Sequence, residues 1–311
     1  MRPCGQTENS LPTTVLIIKL GASGDVVRTT PLLHVLPGEV HWLTDDRNFP
    51  LVDGIDELAM AVRWSDRERL AGRRYDLVIN LEDSNAAAEV LRGITYNQLF
   101  GAYLDAEGNL AYTDSASEWF NLSLISRFGK ERADQLKLEN RKTYQEMIFR
   151  GLGYVFTDQQ YILPKVTPTD LFGDVAIAPH AGAVWPMKNW AYYGELKSDL
   201  EVQGFRVNYL PTRKTLLEHL ADVQNHRYLV SGDTLPMHLA IGSRIKCLSI
   251  FICTSPWEIH GYGLQRKIAS PRLDHYFYRR DFDENAARSI SLDEVRVTLS
   301  DHMASDAAPP S

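Results

Sequence analysis

An aspartate that follows a glycine-containing turn is the first candidate for chemistry in this sequence. Residues 19–31 read KLGASGDVVRTTP and follow an apolar, β-branched run. Gly21 and Gly24 allow a tight turn and a close approach of the backbone to a ligand. Asp25 would lie at or near a helix N-terminus, which favours the ionised carboxylate. Such a carboxylate in a cleft can act as a general base, although a simple helix cap also fits the position.

A lysine in the second half is the best candidate for binding phosphate. Residues 178–190 read APHAGAVWPMKNW and lie between a predicted strand and a predicted helix, where a loop can surround a phosphate. Lys188 offers three hydrogen-bond donors and a compact positive charge for a diphosphate leaving group. His180 could donate there too, whereas Trp185 and Trp190 are interpreted as packing residues.

A third stretch, residues 230–241 (VSGDTLPMHLAI), leads from a strand through Gly232 into a helix. The Thr234 hydroxyl and the free N–H groups of the first turn could hold phosphate, whereas the charge of Asp233 suits sugar hydroxyls better. His238 follows Thr234 by one helical turn on the same face. An ordinary capped helix with a packed histidine fits this stretch equally well.

The elements that must position these residues alternate between strands and helices, which predicts doubly wound α/β sheets. Two prolines in residues 163–170 indicate a linker, and therefore an N-terminal domain (1–163) and a C-terminal domain (164–311). Parallel sheets bind ligands at the carboxyl ends of their strands, so two facing sheets would form a cleft. A fourth stretch, FICTSPW, ends the last predicted strand and could contact a base or ribose. The predicted strands are 14–20, 40–43, 76–81, 174–178, 205–210, 228–230 and 246–252. The first predicted helix follows the glycine turn and ends near residue 36. The other predicted helices are 117–128, 139–152, 190–203, 216–223 and 234–241.

Composition excludes several classes of protein. The formal charge is −7, from 33 Lys and Arg against 40 Asp and Glu, so the chain lacks the basic excess of a generic nucleic-acid binder. No apolar run approaches the roughly 18 residues of a membrane span. We expect a cytoplasmic protein. The sequence does not decide whether it contacts the inner face of the membrane, nor what its oligomeric state is. The acidic pairs Asp45-Asp46 and Glu82-Asp83 are interpreted as solvated loop residues, and Cys247 as a small buried hydrophobe.

Together and in this order, the stretches resemble glycosyltransferase family 9, the ADP-heptose:lipopolysaccharide heptosyltransferases. The family pattern K-x-x-x-x-G-D-V-x-x-T-x-P is matched from Lys19 to Pro31, and G-x-x-x-x-x-K-x-W from Gly182 to Trp190. The pattern D-T-x-x-x-H-L-A is matched by residues 233–240. The resemblance spans roughly residues 14–270 and implies a GT-B fold, with two Rossmann-like domains facing across a cleft.

The resemblance also implies roles for single residues. Asp25 would be the catalytic base of an inverting transfer from ADP-heptose, without a metal or another cofactor, in lipopolysaccharide biosynthesis. Lys188 would neutralise the diphosphate, Asp233 would bind the sugar, and Thr234 would bind phosphate with support from His238. The remaining expected contacts are the donor-side glycines Gly182 and Gly232, and an acceptor-side loop with Gly21, Ser23, Gly24 and Arg28.

Two departures from the family pattern lie on the donor side. Leu235 stands where the family usually has glycine, and Ile252-Cys253 replaces a glycine–proline pair. A UDP- or GDP-sugar donor, or a non-catalytic protein that binds a nucleotide sugar, therefore remains an alternative. The acidic first half leaves the acceptor open between a glycan and a small molecule. GASGDV lacks the third glycine of a dinucleotide fingerprint, which argues against an NAD-dependent oxidoreductase.

Overall fold

The computed structural model describes residues 14–122, 128–182 and 184–304, which form two sheets flanked by helices. The strands are β1 (Thr14–Ile18), β2 (Glu39–Thr44), β3 (Met60–Arg63), β4 (Arg74–Asn80), β5 (Thr95–Leu104), β6 (Leu110–Tyr112), β7 (Gly173–Ala178), β8 (Val207–Tyr209), β9 (His226–Gly232), β10 (Lys246–Phe251) and β11 (Gln265–Ala269).

The α-helices are short, and none in the described ranges is long and apolar enough to cross a bilayer. They are α1 (Ser23–Thr29), α2 (Asn85–Glu89), α3 (Ser117–Phe120), α4 (Lys130–Glu139), α5 (Tyr144–Gly151), α6 (Tyr193–Val202), α7 (Leu216–Gln224), α8 (Leu235–Gly242), α9 (Leu273–Tyr276), α10 (Glu284–Ala287) and α11 (Leu292–Ala304).

Both sheets have a point at which the strand order reverses. The first sheet runs β3-β2-β1-β4-β5-β6, with only β6 antiparallel to its neighbour, and its order reverses between β1 and β4. The second runs β8-β7-β9-β10-β11, all parallel, and reverses between β7 and β9. Loops that leave the carboxyl ends of strands at such a point diverge and leave a crevice for a ligand. The predicted pair of doubly wound sheets is confirmed.

The strands at these points read as unbroken apolar runs because both of their faces are buried. In β1, Val15 and Ile17 enter one apolar cluster, and Leu16 and Ile18 enter another on the opposite face. The first cluster continues into the second sheet through Leu229 and the apolar side chains of α8. One continuous core therefore joins the inner faces of both sheets.

Most predicted strands agree with the structure within two residues, whereas several helix boundaries were wrong. The helix predicted at 139–152 begins at Tyr144, since Thr143 and Glu146 form a capping box there. The first helix ends at Thr29 and continues as a 3₁₀ helix, Thr30–His34, that contains Pro31. Among the described residues of the predicted helix 117–128, only Ser117–Phe120 is α-helical, and residues 123–127 lie outside the described ranges. Cys247 is fully buried with a free thiol, as predicted.

Gly101 provides a test of the first sheet. It has a φ of +122°, and a Cβ at this position would lie 1.8 Å from the carbonyl oxygen of Asn80. Asn80 in turn accepts a hydrogen bond from the backbone of Glu82 in the cleft described below. We expect Gly101→Ala to lower the free energy of unfolding by about 2 kcal/mol or more, as measured by urea denaturation.

Gly93→Ala is the matched control, because a Cβ at Gly93 would have no atom within 4 Å. The control should change the free energy of unfolding by less than about 1 kcal/mol. Equal effects of the two substitutions would contradict the backbone geometry at Gly101.

Candidate functional site

A cleft of about 900 Å³ opens between the carboxyl edges of the two sheets. The loops after β1 and β4 line one wall, and those after β7, β9 and β10 line the other. These loops flank the two points at which strand order reverses. The cleft therefore lies where open α/β sheets bind ligands.

Asp25 lies in this cleft on the third residue of α1. Ala22 is the N-cap of the helix, so the interpretation of Asp25 as a simple cap is wrong. The Arg28 guanidinium binds its Oδ1 at 2.8–2.9 Å, and the Lys19 ammonium lies 4.0 Å from Oδ2. Burial raises the pKa of Asp25, but Arg28 and Lys19 outweigh this effect and hold the pKa below its usual value. Asp25 is therefore ionised at neutral pH and can accept a proton.

Glu82 fixes the loop that precedes Asp25. Its Oε1 accepts hydrogen bonds from the Lys19 ammonium at 2.8 Å and from the backbone of Leu20 at 2.7 Å and Gly21 at 3.3 Å. The interpretation of Glu82 as a solvated loop residue is therefore wrong: it lies at the carboxyl end of β4, next to β1. The signal was available, since Lys19 and Glu82 each follow a buried strand.

The predicted acceptor-side loop contacts the opposite wall directly. A Cβ on Gly24 would lie 2.6 Å from the His238 ring, so a side chain here would separate α1 from α8. Ser23 donates to Asn48 at 2.6 Å and anchors the start of α1. Burial and the nearby Arg28 lower the pKa of His238 to about 4, so its ring is neutral at neutral pH. His238 thus joins the two walls, and its Nδ1 is buried without a hydrogen-bond partner among the described residues.

Lys188 and Asp233 form an ion pair on the opposite wall, and both line the cleft. The Lys188 ammonium binds the Asp233 carboxylate at 2.8 Å and the Asp233 carbonyl at 2.7 Å. Burial raises the pKa of Asp233, but Lys188 outweighs it and lowers the pKa to about 2. A Cβ on Gly232 would lie 3.1 Å from the Lys188 carbonyl, so glycine permits this close packing. The sequence assigned Lys188 and Asp233 separate ligands, whereas the structure pairs them.

Thr234 is the N-cap residue of α8, but its hydroxyl does not cap the helix. The hydroxyl lies 3.5 Å from the Gly232 carbonyl, at the limit of a hydrogen bond. Since Thr234 also lines the cleft beside Lys188, its hydroxyl is available to a ligand. Leu235 takes the position of the family glycine and also lines the cleft.

The other residues of the Lys188 stretch divide between the cleft and the core. Gly182 is exposed in the cleft wall, with open space where a Cβ would be. Trp185 also lines the cleft, against Tyr278, although it was interpreted as a packing residue. Trp190 is buried and donates to the Ile290 carbonyl at 2.9 Å. His180 is exposed and is not among the residues that line the cleft.

Sequence reasoning missed three cleft residues that long-range folding brings together. Glu258 follows the fourth stretch, Lys137 lies on α4, and Tyr278 follows α9. The Lys137 ammonium lies 4.3 Å from the centre of the Tyr278 ring. No local motif marks them, because Lys137 lies more than 100 residues from the other two in the chain and none of the three lies within the family patterns. In the described ranges, no group of three or more His, Cys, Asp or Glu residues is arranged to hold a metal ion.

Solved structures with the same architecture are known, although sequence comparisons find no match. No protein-family model matches the sequence, and no curated protein matches it significantly. Among solved structures, E. coli heptosyltransferase WaaC with ADP-2-deoxy-2-fluoro heptose superposes with a TM-score of 0.63 at 14% identity, covering 93% of this chain and 99% of that one. A family 9 glycosyl transferase from Veillonella parvula gives 0.64 at 13% identity, covering 94% and 97%. E. coli ADP-heptose lps heptosyltransferase II gives 0.61 at 15% identity, covering 95% and 100%.

The chain has the GT-B fold of these enzymes. The predicted fold is thus confirmed over nearly the whole length, and the structural neighbours belong to the family that the motifs resemble. Because identity is low, the likeness concerns the fold alone.

The Lys188–Asp233 pair predicts a dependence of stability on pH. The pKa of Asp233 is about 2 in the folded chain against an ordinary value of 3.8. The stabilisation is therefore fully present above about pH 4 and is lost as the pH falls towards about 2. We expect Asp233→Asn to be less stable than the wild type at neutral pH, and this difference should shrink over that interval in urea denaturation.

The control is Asp53→Asn, at an exposed position with no described ion pair. Its difference from the wild type should be small and independent of pH. A constant gap between wild type and Asp233→Asn down to about pH 2 would show that the carboxylate is not stabilised by Lys188.

Proposed function

We propose that this chain is an inverting glycosyltransferase that moves a heptose or similar sugar from an ADP-activated donor to a hydroxyl of a glycan or small-molecule acceptor. The observation that carries the proposal is the pair of oppositely placed ion pairs in one cleft. Asp25–Arg28 provides an ionised base on the first wall. Lys188–Asp233 provides an ammonium on the second wall, where the Thr234 hydroxyl does not cap α8 and lines the cleft.

The reaction proposed for this cleft is a single displacement. The acceptor oxygen attacks the anomeric carbon, the bond from that carbon to the diphosphate oxygen breaks, and the electron pair leaves with the diphosphate. Asp25 takes the acceptor proton as the oxygen becomes more acidic during attack. The low pKa of Asp25 keeps it deprotonated beforehand. Attack opposite to the leaving group inverts the anomeric configuration.

Lys188, the Thr234 hydroxyl and the N-terminus of α8 are proposed to stabilise the departing diphosphate. Asp233 would hold Lys188 in place and accept hydrogen bonds from the donor sugar. This assignment needs no metal, because the positive charge comes from the protein. The E. coli neighbours support the choice of nucleotide, since WaaC has been solved with ADP and with a fluorinated ADP-heptose.

Calorimetry with ADP, UDP and GDP tests the donor side. We expect ADP to bind most tightly, and Lys188→Ala to weaken that binding about tenfold to a hundredfold, because a charge-assisted contact to the diphosphate is lost. Lys165→Ala is the matched control, since Lys165 is an exposed lysine that forms an ion pair with Asp56 and does not line the cleft among the described residues. It should leave ADP affinity unchanged.

Each alternative has its own result. Tighter binding of UDP or GDP would keep a transferase but discard the ADP donor. Nucleotide binding without transfer to any acceptor would favour a non-catalytic binding protein. If no nucleotide binds, the proposed function is wrong.

A further inference from the structure

The charges that line the cleft restrict the kind of acceptor it can hold. Three basic residues are held in the ion pairs Lys19–Glu82, Arg28–Asp25 and Lys188–Asp233, and of these Lys188 is assigned above to the donor diphosphate. The other charged residues that line the cleft in the described ranges are two basic and three acidic ones: Arg47, Lys137, Asp45, Asp83 and Glu258. The lining therefore has no surplus of positive charge, whether or not Glu258 carries a proton.

Of these five residues, Arg47 and Asp45 are exposed at the rim, and Asp83 accepts a hydrogen bond from Tyr112 at 2.5 Å. Lys137 and Glu258 remain inside the cleft. Lys137 is buried on the first wall, and burial lowers its pKa although Glu258 opposes this shift. Burial raises the pKa of Glu258, although Arg28 and Lys137 oppose this shift. Among the described lining residues, Lys137 is the interior cation that is not already ion-paired, and the Glu258 carboxyl group lines the same cleft.

Glu258 has an unused hydrogen-bonding atom. Its Oε1 is buried and has no hydrogen-bond partner within the described ranges. Its backbone carbonyl accepts from the Tyr144 amide at 3.0 Å, and Tyr144 also stacks on Arg28, the partner of Asp25. The backbone of Glu258 is therefore connected, through Tyr144 and Arg28, to the proposed base Asp25. A buried carboxyl oxygen without a partner costs free energy that a ligand hydroxyl would recover.

We propose, on the basis of the transferase function above, that the acceptor is a neutral, hydroxyl-rich molecule such as an unphosphorylated sugar, and that Glu258 and Lys137 bind its hydroxyls as a pair. The ring of Tyr278 beside Lys137 adds an apolar surface of the kind that sugar C–H faces pack on. The described lining has no net positive charge to offset a phosphate or carboxylate here, and such a group would repel the donor diphosphate.

Matched acceptors test this proposal on the full-length protein loaded with ADP. The probes are methyl glycosides of glucose, galactose and mannose, each beside its uronate and its 6-phosphate, titrated by ligand-observed NMR. We expect at least one neutral glycoside to bind about tenfold or more tightly than its charged counterparts. Tighter or equal binding of the charged partners, or no binding of any neutral glycoside, would overturn the proposal.

Glu258→Gln provides a second test. It measures the preference for a neutral glycoside over its uronate, which would not change if Glu258 had only a structural role. Gln cannot become the carboxylate that Glu258 would present to an anionic acceptor, so the preference for the neutral glycoside over its uronate should fall about tenfold while ADP affinity stays within about twofold. Glu89→Gln, the same change on an exposed helix, should leave the preference unaltered. An unchanged preference in Glu258→Gln would count against the assignment of Glu258.

ADP calorimetry on the same samples separates the two proposals. Normal ADP binding with the wrong acceptor preference overturns the acceptor class alone. Absence of ADP binding in the wild type removes the proposed function, and this inference with it.

Discussion

Carboxylates that leave water must be matched by cations, and this constraint organises the whole cleft. Asp25 and Asp233 are both held ionised against the effect of burial, the first by Arg28 and Lys19, the second by Lys188. Each pair lies at the carboxyl end of a parallel strand, where loops diverge. The pairs thus place an ionised carboxylate on one wall and an ammonium on the other, the two groups that the proposed reaction uses as proton acceptor and as diphosphate-binding cation.

A close contact between helices α1 and α8 brings the two walls of the cleft, and so the two ion pairs, together. Gly24 of α1 packs on His238 of α8, and the apolar cluster beneath them is continuous between the sheets. Because His238 is neutral, it fills the contact without adding charge between the two aspartates. Helix α1 carries Asp25, and helix α8 begins directly after Thr234. The packing of the two domains and the geometry of the proposed reaction are therefore coupled.

The sequence allowed seven of the eleven strands to be predicted, but not β3, β5, β6 or β11. The candidate residues that line the cleft could be predicted because they lie in short motifs after apolar strands. Glu82 was misread since its partners, Lys19 and two backbone amides, are more than 60 residues away along the chain. Lys137 and Glu258 carry no local signal at all. The ion pair between Lys188 and Asp233 was also not predicted. The two residues lie 45 positions apart in the chain, and the motifs assign diphosphate to the first and sugar hydroxyls to the second.

The most direct test of the account is the rate of sugar transfer by Asp25→Asn, measured with the donor and acceptor that the wild type uses. The substitution keeps the size of the side chain and removes its ability to take a proton. The account predicts a fall in turnover of about a hundredfold or more, with ADP affinity unchanged and Asp53→Asn behaving as the wild type. Turnover close to that of the wild type would show that Asp25 is not the base and would contradict the central claim.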